Sequence, residues 1–511
     1  MSNQWDVVIV GAGVGGLTAA AELVKAGLRV LVLERNLHPG GTAYVYRRKG
    51  FTFPMGPLGF SHPRLVREIL RDLGETDDLE FFRVHYRIRA FNMDLPISLS
   101  FTEMKEEFPR FFPSEAKGLK QFFEGMEEMI SSASSPTMEK SSKISASEYL
   151  YGLIKDWRLR HILGSLGTRE PYSNLSLLAA MWNLMCQKGI WYPKGGMQSF
   201  CERLAKAVTR NLGGAGEIRM GMEVREIRVK ESRVLGVTLT DGTEMESASV
   251  ISNADYKTTF LKLIEPKAVP PEWGRAISQA RQTGSVFQVC LGVEKEKMDL
   301  SVFNKARRLI YRQQKEDFPR KEKPDGDVLE AHPEALASQE LEVSLWNGEG
   351  DKPAIVIRTD ADYSHFAKYK IRSGLRSSHY QAYKTKLARA IVREIGPLLP
   401  GLENSTFVMD IATPLTFEDQ GGRSGGAIAG WSWDYEDFQD HQPKELIKTP
   451  IKGLYMAGYQ AFSALFMGGV PTAMESGKRA AQAVLQRALP IEKIIIPGVH
   501  TENERRSDGS R

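Results

Sequence analysis

The first forty residues alternate unbroken apolar runs with glycine. Asp6-Val7-Val8-Ile9-Val10 is β-branched with no polar break, the pattern of a strand buried on both faces. Gly11-Ala12-Gly13-Val14-Gly15-Gly16 follows at once. Leu17, Ala20, Leu23 and Val24 then recur at helical spacing up to Gly27, where a left-handed C-terminal cap would end the helix. Arg29 to Glu34 predicts a second buried strand. Further on, Ser285 to Leu291 and Ala354 to Arg358 have strand character, and residues 76–191 carry helical stretches rich in Phe and Met. In a helix predicted from Tyr380 to Ile395, Tyr383, Leu387, Ile391 and Ile395 share one face, and Lys384, Lys386, Arg389 and Arg393 form a solvated basic surface.

Strand, glycine turn, helix and strand together are the signature of a dinucleotide fold. Gly11 permits the tight turn, Gly13 lets backbone approach a pyrophosphate, and Gly16 allows close helix–strand packing. The unpaired N–H groups of the helix start, Gly15 among them, face the phosphates. The bare pattern would arise by chance about 0.4 times in a chain with this glycine content, so the flanking elements carry the assignment. Glu34, 18 residues beyond Gly16, can accept ribose hydroxyls, and a carboxylate there disfavours a 2′-phosphate.

The chain then departs from a short nicotinamide-type unit. Arg35 leads into a second glycine turn at Gly40-Gly41-Thr42, a hairpin-like stretch with Gly50-Phe51-Thr52-Phe53, and a turn at Gly56-Pro57. Later come Tyr192-Pro-Lys-Gly195-Gly196, Gly221 to Ile227, a hairpin closing at Asp241-Gly242, and Val250-Ile-Ser-Asn253-Ala254-Asp255. Gly425-Gly426, Gly430-Trp431, Gly453-Leu-Tyr-Met-Ala-Gly458 and Gly468-Gly469-Val470-Pro471 complete the series. In this order the blocks resemble the phytoene desaturase and carotenoid isomerase family of FAD oxidoreductases, which includes relatives of retinol saturase.

The resemblance implies FAD as cofactor and an α/β fold: a Rossmann-type FAD-binding domain, glutathione-reductase or amine-oxidase-like, with an interleaved α+β substrate domain. It places Val224 at the adenine and Asp255 near the crossover between domains, and gives the cofactor Gly11, Gly13, Gly15, Gly16, Glu34, Arg35, Gly40, Gly41, Thr42, Gly56, Pro57, Gly458, Gly468, Gly469, Val470 and Pro471. Block spacing divides the chain into a discontinuous cofactor domain (1–75, 192–265 and 415–489), a substrate domain (76–191 and 266–414) and a tail (490–511). Pro471 would open a helix whose N-terminal dipole favours reduced flavin. Phe60, Trp431 and Phe466 are the candidate substrate-lining side chains, although each also suits an ordinary core. Pro54 stands where the family usually carries an acid.

Composition narrows the chemistry. The 511 residues hold 68 Lys and Arg against 63 Asp and Glu, a net +5 too dilute for nucleic-acid binding. Three cysteines without a C-x-x-C fit a reducing compartment and exclude a disulfide oxidoreductase. Nine scattered histidines show no metal-ligand spacing. His62 is the one weak candidate for a proton-transfer role. Gly422-Arg423-Ser424-Gly425-Gly426 matches a nucleophile elbow but lacks the buried strand before it. Pro171 to Gln187 is uncharged but too short and polar to span a membrane. We expect a cytoplasmic enzyme with possible peripheral membrane contact. Its expected reaction is desaturation of an apolar isoprenoid, polyene or lipid-like substrate, with oxygen, a quinone or a protein as electron acceptor. A saturase or redox-neutral cis/trans isomerase is the alternative on the same fold, and a non-enzymatic escort of prenylated proteins is the alternative outside catalysis.

Overall fold

A computed structural model describes residues 5–75, 79–131, 144–210, 214–313, 326–346, 352–432, 446–462 and 469–488. Two sheets position everything that follows. The first has five parallel strands in the order Leu454–Met456, Val250–Ser252, Val7–Val10, Arg29–Glu34 and Ala215–Met220. Val7, Val8 and Ile9 are fully buried, as expected of a central strand covered on both faces. The helix after the glycine turn spans Val14–Lys25, and Gly27 at φ 93° closes it with a left-handed residue.

The long C-terminal helix, Gly469–Ala488, crosses that first helix tightly. A Cβ on Gly477 would stand 2.3 Å from the carbonyl oxygen of Gly15, so glycine is what lets the backbones approach. The described helix begins two residues before Pro471. Pro471 therefore lies within the first turn rather than opening it, where its missing N–H is tolerated.

The second sheet has seven strands in the order Thr406–Ala412, Ser285–Val293, Ala354–Ala361, Leu341–Trp346, Arg308–Tyr311, Tyr86–Ala90 and Met93–Pro96. Its faces differ in chemistry. Val289, Ile357, Val343 and Leu309 are opposite one another and fully buried, and helix Tyr380–Glu394 covers them with Tyr383, Leu387 and Ile391. The alternate positions Gln288, Arg358, Glu342 and Ile310 line up on the other face. The helical reading of 76–191 missed the strands at 81–96, two of which join this sheet.

Helices Phe101–Phe111, Ala116–Ser131 and Leu175–Trp182 pack the aromatic residues of the 76–191 segment as core. Phe108, Phe122, Phe123 and Met126 are fully buried around Trp182, whose Nε1 donates to the Leu163 carbonyl at 2.8 Å. Phe111, Tyr151 and Trp157 are exceptions, exposed on the surface. No helix among the described residues is long and apolar enough to cross a membrane.

Candidate functional site

The glycine turn closes around Asn253. This residue ends the strand beside Val7–Val10, and its backbone N–H donates to the Val10 carbonyl at 2.9 Å. A Cβ on Gly13 would fall 2.5 Å from Asn253 Nδ2, and one on Gly15 would fall 2.7 Å from Asn253 Oδ1 and from the Gly458 nitrogen. The three segments can converge only because these positions lack side chains. Asn253 Oδ1 itself is buried without a hydrogen-bond partner, an orphaned acceptor at the floor of the cradle.

Glu34 ends the second strand with a carboxylate only 4% exposed. Its oxygens accept the backbone N–H groups of Ala12 and Asn36, each at 2.8 Å. A carboxylate held by two amides is rigid, and its remaining lone pairs face the cleft that it lines. Gly40 meets Gly13 in a parallel bridge and donates its N–H to the Ala12 carbonyl at 2.8 Å, so the second glycine turn doubles the wall of amides. At the next turn a Cβ on Gly56 would fall 2.2 Å from the Thr42 carbonyl oxygen, which presses the Gly56-Pro57 turn onto the same wall.

From the far side of the chain, Arg423 Nη2 donates to Thr42 Oγ1 at 3.2 Å and Nη1 donates to the Ile428 carbonyl at 2.6 Å. Burial pulls the Arg423 pKa down, and the nearby Asp255 carboxylate acts in the opposite direction. Asp255 accepts Ser424 N at 3.0 Å and Gln282 Nε2 at 3.0 Å, fixing the loop that presents Arg423. Arg35 Nη2 donates to the Asp419 carbonyl at 2.6 Å, a second link between the glycine turns and the 415–426 segment.

These groups line one cleft of about 1360 Å³ that runs from Val224 past Glu34, Thr42 and Gly458 to the charged face of the seven-stranded sheet. Gly469 and Val470 put the start of the C-terminal helix on its wall. Tyr459, also lining it, has its phenol pushed up to about 12 by burial and is therefore neutral. Arg358 stands on the floor, donating to Gln288 Oε1 at 2.7 Å and to the Gly56 carbonyl at 2.5 Å.

Gly11, Gly13, Gly15, Glu34, Arg35, Gly40, Gly41, Thr42, Gly56, Pro57, Val224, Asp255, Gly458, Gly469 and Val470 all line this cleft. Gly16 does not: it lies beneath, where a Cβ would meet the Gly11 carbonyl oxygen at 2.3 Å. Pro471 also packs behind the wall. The expected lining aromatics are elsewhere. Trp431 is 2% exposed, edge-on to Tyr256, and its Nε1 donates to the Gln460 carbonyl at 3.1 Å. Phe60 is buried edge-on to Phe81. His62 is absent from the lining and sits in a left-handed conformation before helix Pro63–Asp72, with Nδ1 2.9 Å from Ser61 Oγ. Phe466 and Gly468 lie outside the described residues. Asn253, Arg423 and the charged sheet face were missed, although Arg423 sits inside the rejected nucleophile-elbow pattern.

The set fits a dinucleotide. It offers a carboxylate for a ribose, two walls of amides and a cation for a pyrophosphate, and an orphaned buried acceptor beneath. Comparison with known proteins agrees. The model of the family described as flavin containing amine oxidoreductase matches residues 14–343. A prolycopene isomerase of Daucus carota is 24% identical over 508 residues, covering 90% of this chain and 77% of its own. A neurosporene-forming phytoene desaturase of Rhodobacter capsulatus is 24% identical over 519 residues, covering 93% of each. Among solved structures, cyclohexylamine oxidase from Brevibacterium oxydans shares the fold with a TM-score of 0.58 at 15% identity, covering 95% of this chain and 99% of that one.

Proposed function

Because the chain belongs to the flavin containing amine oxidoreductase family, and is thus an FAD-dependent oxidoreductase, we propose that it desaturates a C–C bond of an isoprenoid or polyene substrate. The observation that carries this reading is the single continuous cleft. It runs from the glycine cradle to the sheet floor, so one cavity has room for a dinucleotide and an elongated second molecule beside it. The relatives named for carotenoid chemistry support the substrate class.

Bound in the cleft, FAD supplies an acceptor for hydride from an activated C–H. The protein's part is to hold and to exclude. Glu34 would fix the adenosine ribose, while the turns at Gly11–Gly16 and Gly40–Thr42, with Arg423, would take the pyrophosphate. Val224 would border the adenine. The helix start at Gly469-Val470 would put positive dipole beside the ring end, which favours added negative charge by roughly 0.3–1 kcal/mol. The Gly56-Pro57 turn, held by Arg358, would shape the boundary between cofactor and substrate. The hydrogen on the adjacent carbon would leave as a proton, to solvent or to a cleft group. The electrons pass on to oxygen, a quinone or a protein.

The test is an absorbance spectrum of the purified protein followed by anaerobic mixing with candidate polyenes. Bleaching of oxidised flavin with formation of a new double bond is the expected result, and a colourless protein or an unbleached flavin overturns it. The isomerase relative makes redox-neutral isomerisation the second reading, favoured if only prereduced flavin supports turnover.

A further inference from the structure

The floor of the cleft mixes apolar side chains such as Val286 and Ile310 with charged ones. Strand alternation puts Gln288, Arg358 and Glu342 in one row across the sheet, with Asp360 and Glu340 in the next row. Val286, Cys290, Val356 and Ile310 of the same strands share this side, whereas Phe287, Val289, Ile357 and Leu309 face helix Tyr380–Glu394. A surface built only to hold a carotene would gain nothing from half-buried charges, each of which loses part of its hydration.

The charges form two groups with different balances. In the outer group Arg169 bridges Glu340 at 3.0 Å and Asp360 at 3.1 Å, and Glu340 also accepts the Thr168 hydroxyl at 3.0 Å. There Arg169 meets two carboxylates, and Arg312, also on the cleft, lies in the field of Glu340. In the inner group Glu342 lies 3.7 Å from Arg308, which is 7% exposed and also donates to the Leu58 carbonyl at 2.9 Å. Arg358 is beside them, and its recorded partners are both neutral: the Gln288 amide oxygen and the Gly56 carbonyl. Among the described residues no carboxylate comes within ion-pairing distance of it. Two guanidinium groups thus stand beside one carboxylate, which is within ion-pairing distance of Arg308 alone, and Arg358 borders the cleft at the Gly56-Pro57 turn. A planar guanidinium with donors to spare is matched by a carboxylate.

We infer that the substrate is an amphiphile, an apolar unsaturated chain carrying a carboxylate, and that Arg358 on the sheet floor binds that carboxylate. This rests on the desaturase reading above for the apolar part and adds the polar anchor. Anchoring one end would fix which bond of the chain stands at the reacting position.

All-trans-retinoic acid and all-trans-retinol serve as probes, because they share a polyene and differ in the head group. Binding to the FAD-loaded protein is read by quenching of tryptophan fluorescence. The acid is expected to bind at least about tenfold more tightly than the alcohol. Arg358→Gln should bring the ratio to about one, and Arg358→Lys should keep part of it. Glu342→Gln, which removes the competing charge opposite Arg358, should tighten the acid and leave the alcohol unchanged. It gives an independent reading if Arg358→Gln fails to fold.

Equal binding of both probes, binding of neither, or an acid preference that survives Arg358→Gln overturns the inference. So does a variant that loses FAD while keeping the preference, since Arg358 would then serve the cofactor. Anaerobic flavin absorbance on the same samples separates the two readings. Tight acid binding without flavin bleaching keeps the anchor and removes desaturation; bleaching by both probes alike, without acid preference, does the reverse.

Discussion

Arg423 reaches across 381 positions of sequence to donate to Thr42 Oγ1, and so binds the second glycine turn to a loop near the other end of the chain. The contact puts a half-buried cation at the wall of amides where a pyrophosphate would lie.

Arg423→Gln keeps a donor near Thr42 but removes the charge. FAD affinity should fall by about 10- to 100-fold, the usual worth of a charge-assisted contact. Titration of the apoprotein with FAD, followed by flavin fluorescence, checks this. Unchanged affinity would place the pyrophosphate elsewhere.

Glu34→Gln acts on the fold as well as on the cofactor. The carboxylate accepts two backbone N–H groups, and an amide can present only one oxygen, so one N–H would face the new NH₂. A loss of about 1–3 kcal/mol is expected in the apoprotein, read by denaturant unfolding, with weaker FAD binding in addition. A variant that loses FAD at full apoprotein stability would contradict this account.

Gly477→Ala should lower stability by about 1–3 kcal/mol with or without FAD, because the new methyl would meet the Gly15 carbonyl oxygen. Gly242→Ala is not an equivalent control despite its open surroundings, since Gly242 has φ 89°. Gly152, inside helix Ala146–Leu153 with nothing within 4 Å and no such φ, is the matched site, and Gly152→Ala should stabilise by about 0.4–1 kcal/mol. Melting temperatures of the two variants make the comparison.

The ring of His38 stacks on Tyr44 with centroids 3.2 Å apart, and burial holds its pKa below the ordinary 6.5. The folded state therefore binds this proton less readily than the unfolded chain does. The contribution is full above pH 6.5 and is lost as the pH falls from there through the depressed folded value. His38→Phe keeps a stacked ring and cannot titrate. The difference in melting temperature between wild type and variant should shift toward the variant as pH falls from 7.5 to about 5. A difference that does not change with pH would refute the assignment.

The glycine cradle was legible in the sequence because its signals are local. A strand, a glycine turn, a helix and an acid at the end of the next strand are contiguous, and each is required by sterics or hydrogen bonding at a fixed offset. The hairpin at Val45–Arg48 and Phe51–Pro54 and the basic face of Tyr380–Glu394 followed from local periodicity in the same way. Trp431 and Phe60 did not, since an aromatic at a given spacing is equally suited to a cavity wall or a packed core, and here both are buried in the core.

What the sequence by itself determined is the glycine-rich cradle, with its carboxylate at Glu34. The tertiary structure alone decided which residues complete it and what faces it. Asn253 enters because parallel strands bring it under Gly13 and Gly15, and Arg423 because a distant loop folds back onto Thr42. The floor belongs to Arg358 because alternation along a strand fixes that neighbouring side chains take opposite faces, while only packing against helix Tyr380–Glu394 determines which face is core and which is left to line a cleft.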